Sequence, residues 1–441
     1  MIEKYLVKKI TEPVDWKVNV PGSKSMTNRA LLMAVLSAGT VCVEGVLFSD
    51  DSRHFLACLV ALGFTVEIEE EKKCATVTGC GGRIPRGEAV IDVGSAGTAA
   101  RFLAAMLGFS DGCYEIRCSA QMKRRPMAEL FDLLSGAGAK ITFLEEEGHL
   151  PVRITGCRYA QADKTAGETP RELSLDITKS TQFLSALLLI APMVPEGMKI
   201  HITSEKTDGS YIRITRRMMQ EFGVSVAFDG RDYEVPCRSS YRKETYMVEP
   251  DMSAACYFYA AAAVTGGRTL VRHVHMDNTQ GDLRFLEVLE HMGCTADDTP
   301  EGILVTGPAD GALRGITVNM NDFSDQALTL AAIAPFADAP VRIEGIGHIR
   351  GQECDRIHAI QTNLTALGIR CEEEETAATI YPGSPHGGSV ETYDDHRVAM
   401  AFSLVGLRTD GIVIENPACC RKTFENYFTV LSELTGKTVE G

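Results

Sequence analysis

A six-fold repetition constrains this chain more than any single motif. Six stretches are apolar on every side and rich in Ala and Leu: Asn28–Ala38, Thr98–Leu107, Thr181–Ala191, Ser253–Val264, Gln326–Ala337 and His396–Leu407. A helix without a polar face belongs inside a core. The stretches start roughly 70 to 83 residues apart, so the 441 residues divide into six units of about 73.

A second, amphipathic helix recurs in each unit and ends in glycine. Met127, Leu130, Phe131 and Leu134 follow one stripe before Gly138, and Phe285, Val288, Leu289 and Met292 do so before Gly293. Thr215, Met218, Met219 and Phe222 precede Gly223; Phe55, Leu59 and Leu62 precede Gly63; Ile360, Leu364 and Leu367 precede Gly368. Phe428, Leu431 and Leu434 give a weaker sixth copy before Gly436. The spacing predicts one face on a sheet, and the glycine suits a left-handed helix stop. Each unit therefore holds one buried helix, one covering helix and several short strands. Six such units make an α/β protein, assembled as a solenoid or as two lobes of three.

Composition removes several function classes. The chain carries 44 Lys and Arg against 59 Asp and Glu, a net charge of −15, which disfavours nucleic acid as a partner. The longest apolar runs, Leu184–Val194 and Ala254–Val264, are only about 11 residues, short of the ~18 a membrane span needs. Met1–Ile10 holds three Lys and no apolar core, so no secretory leader is expected. Fourteen Cys lie scattered without a C-x-x-C, which predicts a reduced, cytoplasmic protein with no metal or disulfide framework. His273 and His275 alternate in a strand-like run, Leu270–His275, and read as a surface pair rather than metal ligands.

The chemistry gathers where the buried helices begin. The segments are Pro21-Gly-Ser-Lys-Ser-Met-Thr-Asn-Arg29, Gly94-Ser-Ala-Gly-Thr98, Lys179-Ser-Thr-Gln182, Glu249-Pro-Asp-Met-Ser253, Asn321-Asp-Phe-Ser-Asp-Gln326 and Thr392-Tyr-Asp-Asp-His-Arg397. Capping explains one hydroxyl or carboxylate per helix. It does not explain Lys24, Arg29, Lys179, His396 and Arg397 beside them. A buried helix start, with its positive dipole end and free N–H groups, favours an anion. The first half offers Gly, Lys and hydroxyls, and the second offers Asp and Glu, which points to a substrate cleft between lobes. Arg125 and Arg356 read as the first residues of amphipathic helices, where a cation opposes the dipole. Glu353, among such bases, is a candidate general acid or base. Gly22-Ser-Lys24-Ser25 is not a P-loop, because Ser precedes Lys24.

Together these segments resemble the 5-enolpyruvylshikimate-3-phosphate synthase (3-phosphoshikimate 1-carboxyvinyltransferase) family of enolpyruvyl transferases. The carriers are Pro21-Gly-Ser-Lys-Ser with Asn28-Arg-Ala-Leu, Gly97-Thr98 with Arg101, Arg125-Pro126, and Gln182-Phe-Leu. Glu353 with Asp355-Arg356, Asp395-His-Arg397 and Lys422-Thr-Phe424 complete the set, in order over nearly the whole chain. The resemblance implies two lobes of three βαβαββ pseudo-repeats, an inside-out α/β barrel. One lobe would be 1–22 plus 249–441, and the other 23–248. It implies transfer of the carboxyvinyl group of phosphoenolpyruvate to the 5-hydroxyl of 3-phosphoshikimate through a tetrahedral intermediate. No metal or cofactor is implied, and the expected form is a cytoplasmic monomer.

Residue by residue, the resemblance puts Lys24, Ser25, Arg29, Ser180, Thr181, Gln182 and Asp325 on 3-phosphoshikimate. It puts Lys24, Gly97, Arg125, Arg356, Arg397 and Lys422 on phosphoenolpyruvate. Lys24, Asp325 and Glu353 would move protons. The chain departs from the family pattern at Ser95, Phe102, Gln352 and Asp208-Gly-Ser-Tyr211. A sister transferase acting on UDP-N-acetylglucosamine usually has a Cys five residues before its Arg-Pro, where this chain has Ala120. A non-catalytic repeat scaffold would need neither Asp325 nor Glu353.

Overall fold

A computed structural model describes residues 3–157, 169–178, 180–308 and 312–436. Two compact units emerge: residues 1–21 with 250–441, and residues 22–249. Among the described residues no helix is long and apolar enough to cross a membrane.

Each unit has three helices at its centre. In the 22–249 unit they are Lys24–Leu36, Gly97–Gly108 and Thr181–Ile190. In the other they are Met252–Thr265, Ala327–Ile333 and His396–Arg408. The members of each trio pack on one another. Their apolar residues need no polar side because none faces water: Ala30 to Val35 and Leu184 to Ile190 are fully buried. Each such Leu or Ile contributes ~1.5–3 kcal/mol of burial. The fifth inner helix is shorter than its pattern predicts. The stretch is broken into 3₁₀ turns at Ser324–Gln326 and Ala334–Phe336, the second holding Pro335, which has no N–H for the helix ladder.

The amphipathic helices cover the sheets, and the six glycines that end them all have positive φ, from 62° at Gly436 to 108° at Gly293. Only a residue without Cβ adopts that turn freely. The described strands form six separate sheets, five of four strands and one of three, and none closes into a barrel. In a typical sheet Glu88–Asp92 runs parallel to Cys113–Arg117. Val152–Thr155 pairs antiparallel with Cys113–Arg117, and Lys140–Phe143 antiparallel with Val152–Thr155.

The sequence period hides an exchange. Strand Thr245–Met247 runs parallel to Thr40–Glu44 and completes the first sheet of the 22–249 unit from its far end. Asp15–Val18 likewise pairs in parallel with Arg268–Arg272, and Lys4–Leu6 joins Ile412–Glu415. Contiguous blocks of 73 residues are thus not the folding units for the repeats at these borders. The run through His275 also differs from expectation. Its strand stops at Arg272, His273 turns with φ 63°, and His275 pairs with Asp298 at 2.8 Å.

Candidate active site

In the 22–249 unit the three inner helix starts are tied together by side chains. Lys24 is the first residue of its helix, and its Nζ lies 3.3 Å from the buried Asp51. Arg29, one turn on, is 1% exposed. Its Nε donates to Thr215 Oγ1 at 2.8 Å, Nη1 to the Ser25 carbonyl at 2.9 Å, and Nη2 to Ser185 Oγ at 3.3 Å. The guanidinium also stacks 5.2 Å from the Phe102 ring. Burial pulls its pKa down to about 10, and no carboxylate hydrogen-bonds to it among the described residues. Arg29 therefore anchors Ser25 and spreads positive potential under the helix starts.

Ser180 caps the third inner helix, its Oγ accepting from the Gln182 N–H at 3.2 Å. Thr181 follows as the first helical residue, and Lys179 lies outside the described residues. Gln182 Oε1 accepts from Arg101 Nη1 at 2.9 Å, and the same nitrogen reaches the Gly97 carbonyl. Gly97 begins the second inner helix against Arg125. A Cβ there would sit 2.4 Å from Arg125 Nη1 and 2.8 Å from Arg101 Nη1. Arg125 does not begin a covering helix, contrary to its sequence reading. It lies in the turn between Ala120–Lys123 and Ala128–Gly136, where Pro126 blocks continuation.

The other unit builds a charge network around one arginine. Arg356 is the first residue of helix Arg356–Ala366, capped by Asp355, and is 1% exposed. It contacts Asp325 Oδ1 at 3.0 Å, Glu353 Oε2 at 2.9 Å and Asp395 Oδ2 at 2.8 Å. Burial alone would lower its pKa, but Asp395, Glu353 and Asp325 together raise it. The second oxygens of two carboxylates reach further cations: Arg397 Nη2 lies 3.0 Å from Asp325 Oδ2, and Lys422 Nζ lies 3.2 Å from Glu353 Oε1. Asp395 is buried and caps the last inner helix by accepting from the Arg397 N–H. The planar guanidinium fork suits this multiple pairing.

Three contributors were not legible as site residues. Asp51 was hidden in the capping box of a covering helix. Asp282 is buried, accepting from Ser253 Oγ and from Gln326 Nε2, and so ties two inner helix starts together. Asp395 was visible within a motif but not as the second anchor of Arg356. Among the departures, Asp208 pairs with Arg213 at 3.0 Å and accepts from the Tyr233 hydroxyl. Among the described residues no group of three or more His, Cys, Asp or Glu is placed to hold a metal ion.

Each unit thus holds its own cluster, one rich in helix starts and bases, the other an interlocked set of carboxylates and cations. Such sets can hold anions and move protons. The sequence matches the family described as EPSP synthase (3-phosphoshikimate 1-carboxyvinyltransferase) over residues 8–431. It is 41% identical to a 3-phosphoshikimate 1-carboxyvinyltransferase of Trichormus variabilis, over 97% of this chain and 98% of that protein. Against the protein of that name from Yersinia pseudotuberculosis the identity is 38%, over 96% of each. An EPSP synthase structure from Acinetobacter baumannii superposes with a TM-score of 0.79 at 25% identity, covering 99% of this chain and 98% of that one.

Proposed function

The chain belongs to the EPSP synthase (3-phosphoshikimate 1-carboxyvinyltransferase) family, and we propose that it transfers the carboxyvinyl group of phosphoenolpyruvate to the 5-hydroxyl of 3-phosphoshikimate, releasing phosphate. The observation that carries this reading is the Arg356 network. Two carboxylates, Asp325 and Glu353, are held on one guanidinium, and their second oxygens pair with the buried cations Arg397 and Lys422.

In the addition step the 5-hydroxyl oxygen bonds to C2 of phosphoenolpyruvate and C3 takes a proton. Asp325 accepts the hydroxyl proton, and Glu353 or Lys24 supplies the proton to C3. In the elimination step the C–O bond to phosphate breaks and C3 returns a proton. Lys24, Gly97, Arg125, Arg356, Arg397 and Lys422 hold phosphoenolpyruvate. Lys24, Ser25, Arg29, Ser180, Thr181, Gln182 and Asp325 hold 3-phosphoshikimate. An arginine suits carboxylate and phosphate because its guanidinium is a planar fork of donors; Arg356 would meet phosphoenolpyruvate by exchanging a donor that now serves Asp325, Glu353 or Asp395.

The residues present supply bases, acids and anion donors sufficient for this chemistry. The protein acts as a cytoplasmic monomer on small anions rather than on nucleic acid, in line with its net charge of −15. The assay is phosphate release. It is expected only with both 3-phosphoshikimate and phosphoenolpyruvate. Release with UDP-N-acetylglucosamine in place of 3-phosphoshikimate would assign the sister reaction, and no release with either would favour a scaffold.

A further inference from the structure

Thr40–Glu44 and Cys74–Thr78 are antiparallel neighbours in which Cys42 faces Thr76 and Cys74 faces Glu44. The two cysteines are therefore offset by two residues and project from the same face of the sheet. Their sulfurs lie 3.0 Å apart, inside the contact distance of two unbonded sulfur atoms. The S–S bond length is about 1 Å shorter than this, and closing it across a diagonal pair also draws the two strands together. Cys42 is half-buried and Cys74 buried, so an oxidant in solution meets Cys42 first. Burial, then the Cys42 neighbour, pushes the Cys74 thiol above its ordinary pKa and keeps it protonated.

We propose that Cys42 and Cys74 are a site of oxidative modification, a dithiol that closes to a disulfide when the protein meets a peroxide. The Cys42 thiolate attacks one peroxide oxygen, the O–O bond breaks, and a sulfenic acid forms while the departing hydroxide takes a proton to become water. The Cys74 sulfur then attacks the Cys42 sulfur, the S–O bond breaks, and the Cys74 proton leaves with the hydroxyl as a second water. Two thiols lose two electrons and one peroxide becomes two waters.

The pair stands apart from the other thiols. Cys419 and Cys420 also adjoin, but they are 4% and 1% exposed, which shields them from the oxidant. The link would also fall close to the proposed site. Val46 N–H donates to the Lys73 carbonyl at 2.9 Å, and Leu47 N–H to Thr27 Oγ1 at 3.2 Å, in the loop that leads to Asp51.

The test is a non-reducing peptide map of the whole protein after hydrogen peroxide, with N-ethylmaleimide added during denaturation. A Cys42–Cys74 linked peptide pair, lost on adding dithiothreitol, is the expected result. In Cys74→Ser the linked pair should vanish and dimedone should label Cys42. The proposal is overturned if both cysteines of the wild-type protein stay alkylated, if Cys42 passes to sulfinic acid unlinked, or if either joins a different cysteine.

Discussion

Lys24 Nζ lies 3.3 Å from Asp51 Oδ2, and the Asp51 side chain is only 2% exposed. Its other oxygen has no hydrogen-bond partner among the described residues. Asp51 thus aims the lysine from beneath without sharing in other contacts. Asp51→Asn keeps the shape and removes the charge. Losing one partner of a fully buried pair costs ~3–5 kcal/mol. Lys24 keeps 16% exposure, so water recovers part of that. The expected result is a melting temperature lowered by several degrees together with a fall of kcat/KM by roughly tenfold, about 1.4 kcal/mol. An unchanged kcat/KM would sink the positioning role. Lys24→Ala should nearly abolish turnover while the fold stays intact.

Gly97 touches Arg125 so closely that any side chain must displace it. The added Cβ of Gly97→Ala would meet Arg125 Nη1 at 2.4 Å and Arg101 Nη1 at 2.8 Å. These are ends of flexible side chains, so the helix survives and the guanidinium yields. The expected effect is a KM for phosphoenolpyruvate raised about tenfold, a loss near 1.4 kcal/mol, with a smaller change for 3-phosphoshikimate. Steady-state kinetics with each substrate varied separately distinguishes this from general damage, which would raise both.

Arg356 is the keystone of its unit. Arg356→Lys keeps one positive charge but loses the fork that reaches Asp325, Glu353 and Asp395 at once. Asp395 has 0% exposure and would lose its strongest partner. An uncompensated buried charge costs ~3–5 kcal/mol, which lowers the melting temperature by roughly 10 °C. Calorimetry checks this. A variant that melts like the wild type would show that the network is worth little to folding.

The sequence exposes some of these relationships and conceals others for physical reasons. Six inner helices were legible because a helix with no polar face has only one place to go, and the glycine stops marked where the covering helices end. The extent of the fifth was not, since Pro335 cuts the periodic run short. Strand Thr245–Met247 was unreadable as part of the first repeat because parallel pairing leaves no local trace in the chain. Lys24, Gly97 and Arg356 announced themselves as charges or glycine at helix starts, where capping does not need them. Arg125 misled, because a basic residue just before Pro126 looks like a helix start yet sits in a turn. Asp51 and Asp282 look like ordinary polar residues of a cap and a 3₁₀ turn. Only burial and partners, both set by tertiary packing, mark them out.

Asp282 makes the acid side of the stability profile testable. Burial first, and then the nearby Asp325 charge, push its pKa from 3.8 up to about 6, while Arg397 and the hydrogen bonds from Ser253 and Gln326 pull the other way. Between those values the folded state holds a proton that the unfolded chain has lost. Stability from this group therefore falls as pH rises from about 4 to about 6 and is level above that. Asp282→Asn cannot ionise, and its amide oxygen can accept from both Ser253 and Gln326. The variant should match the wild type near pH 4 and gain on it with rising pH, by on the order of 3 kcal/mol at pH 7. Urea midpoints of both proteins at pH 4, 5, 6 and 7 read this directly. A difference that stays constant across the series would mean that Asp282 does not carry its proton into this range.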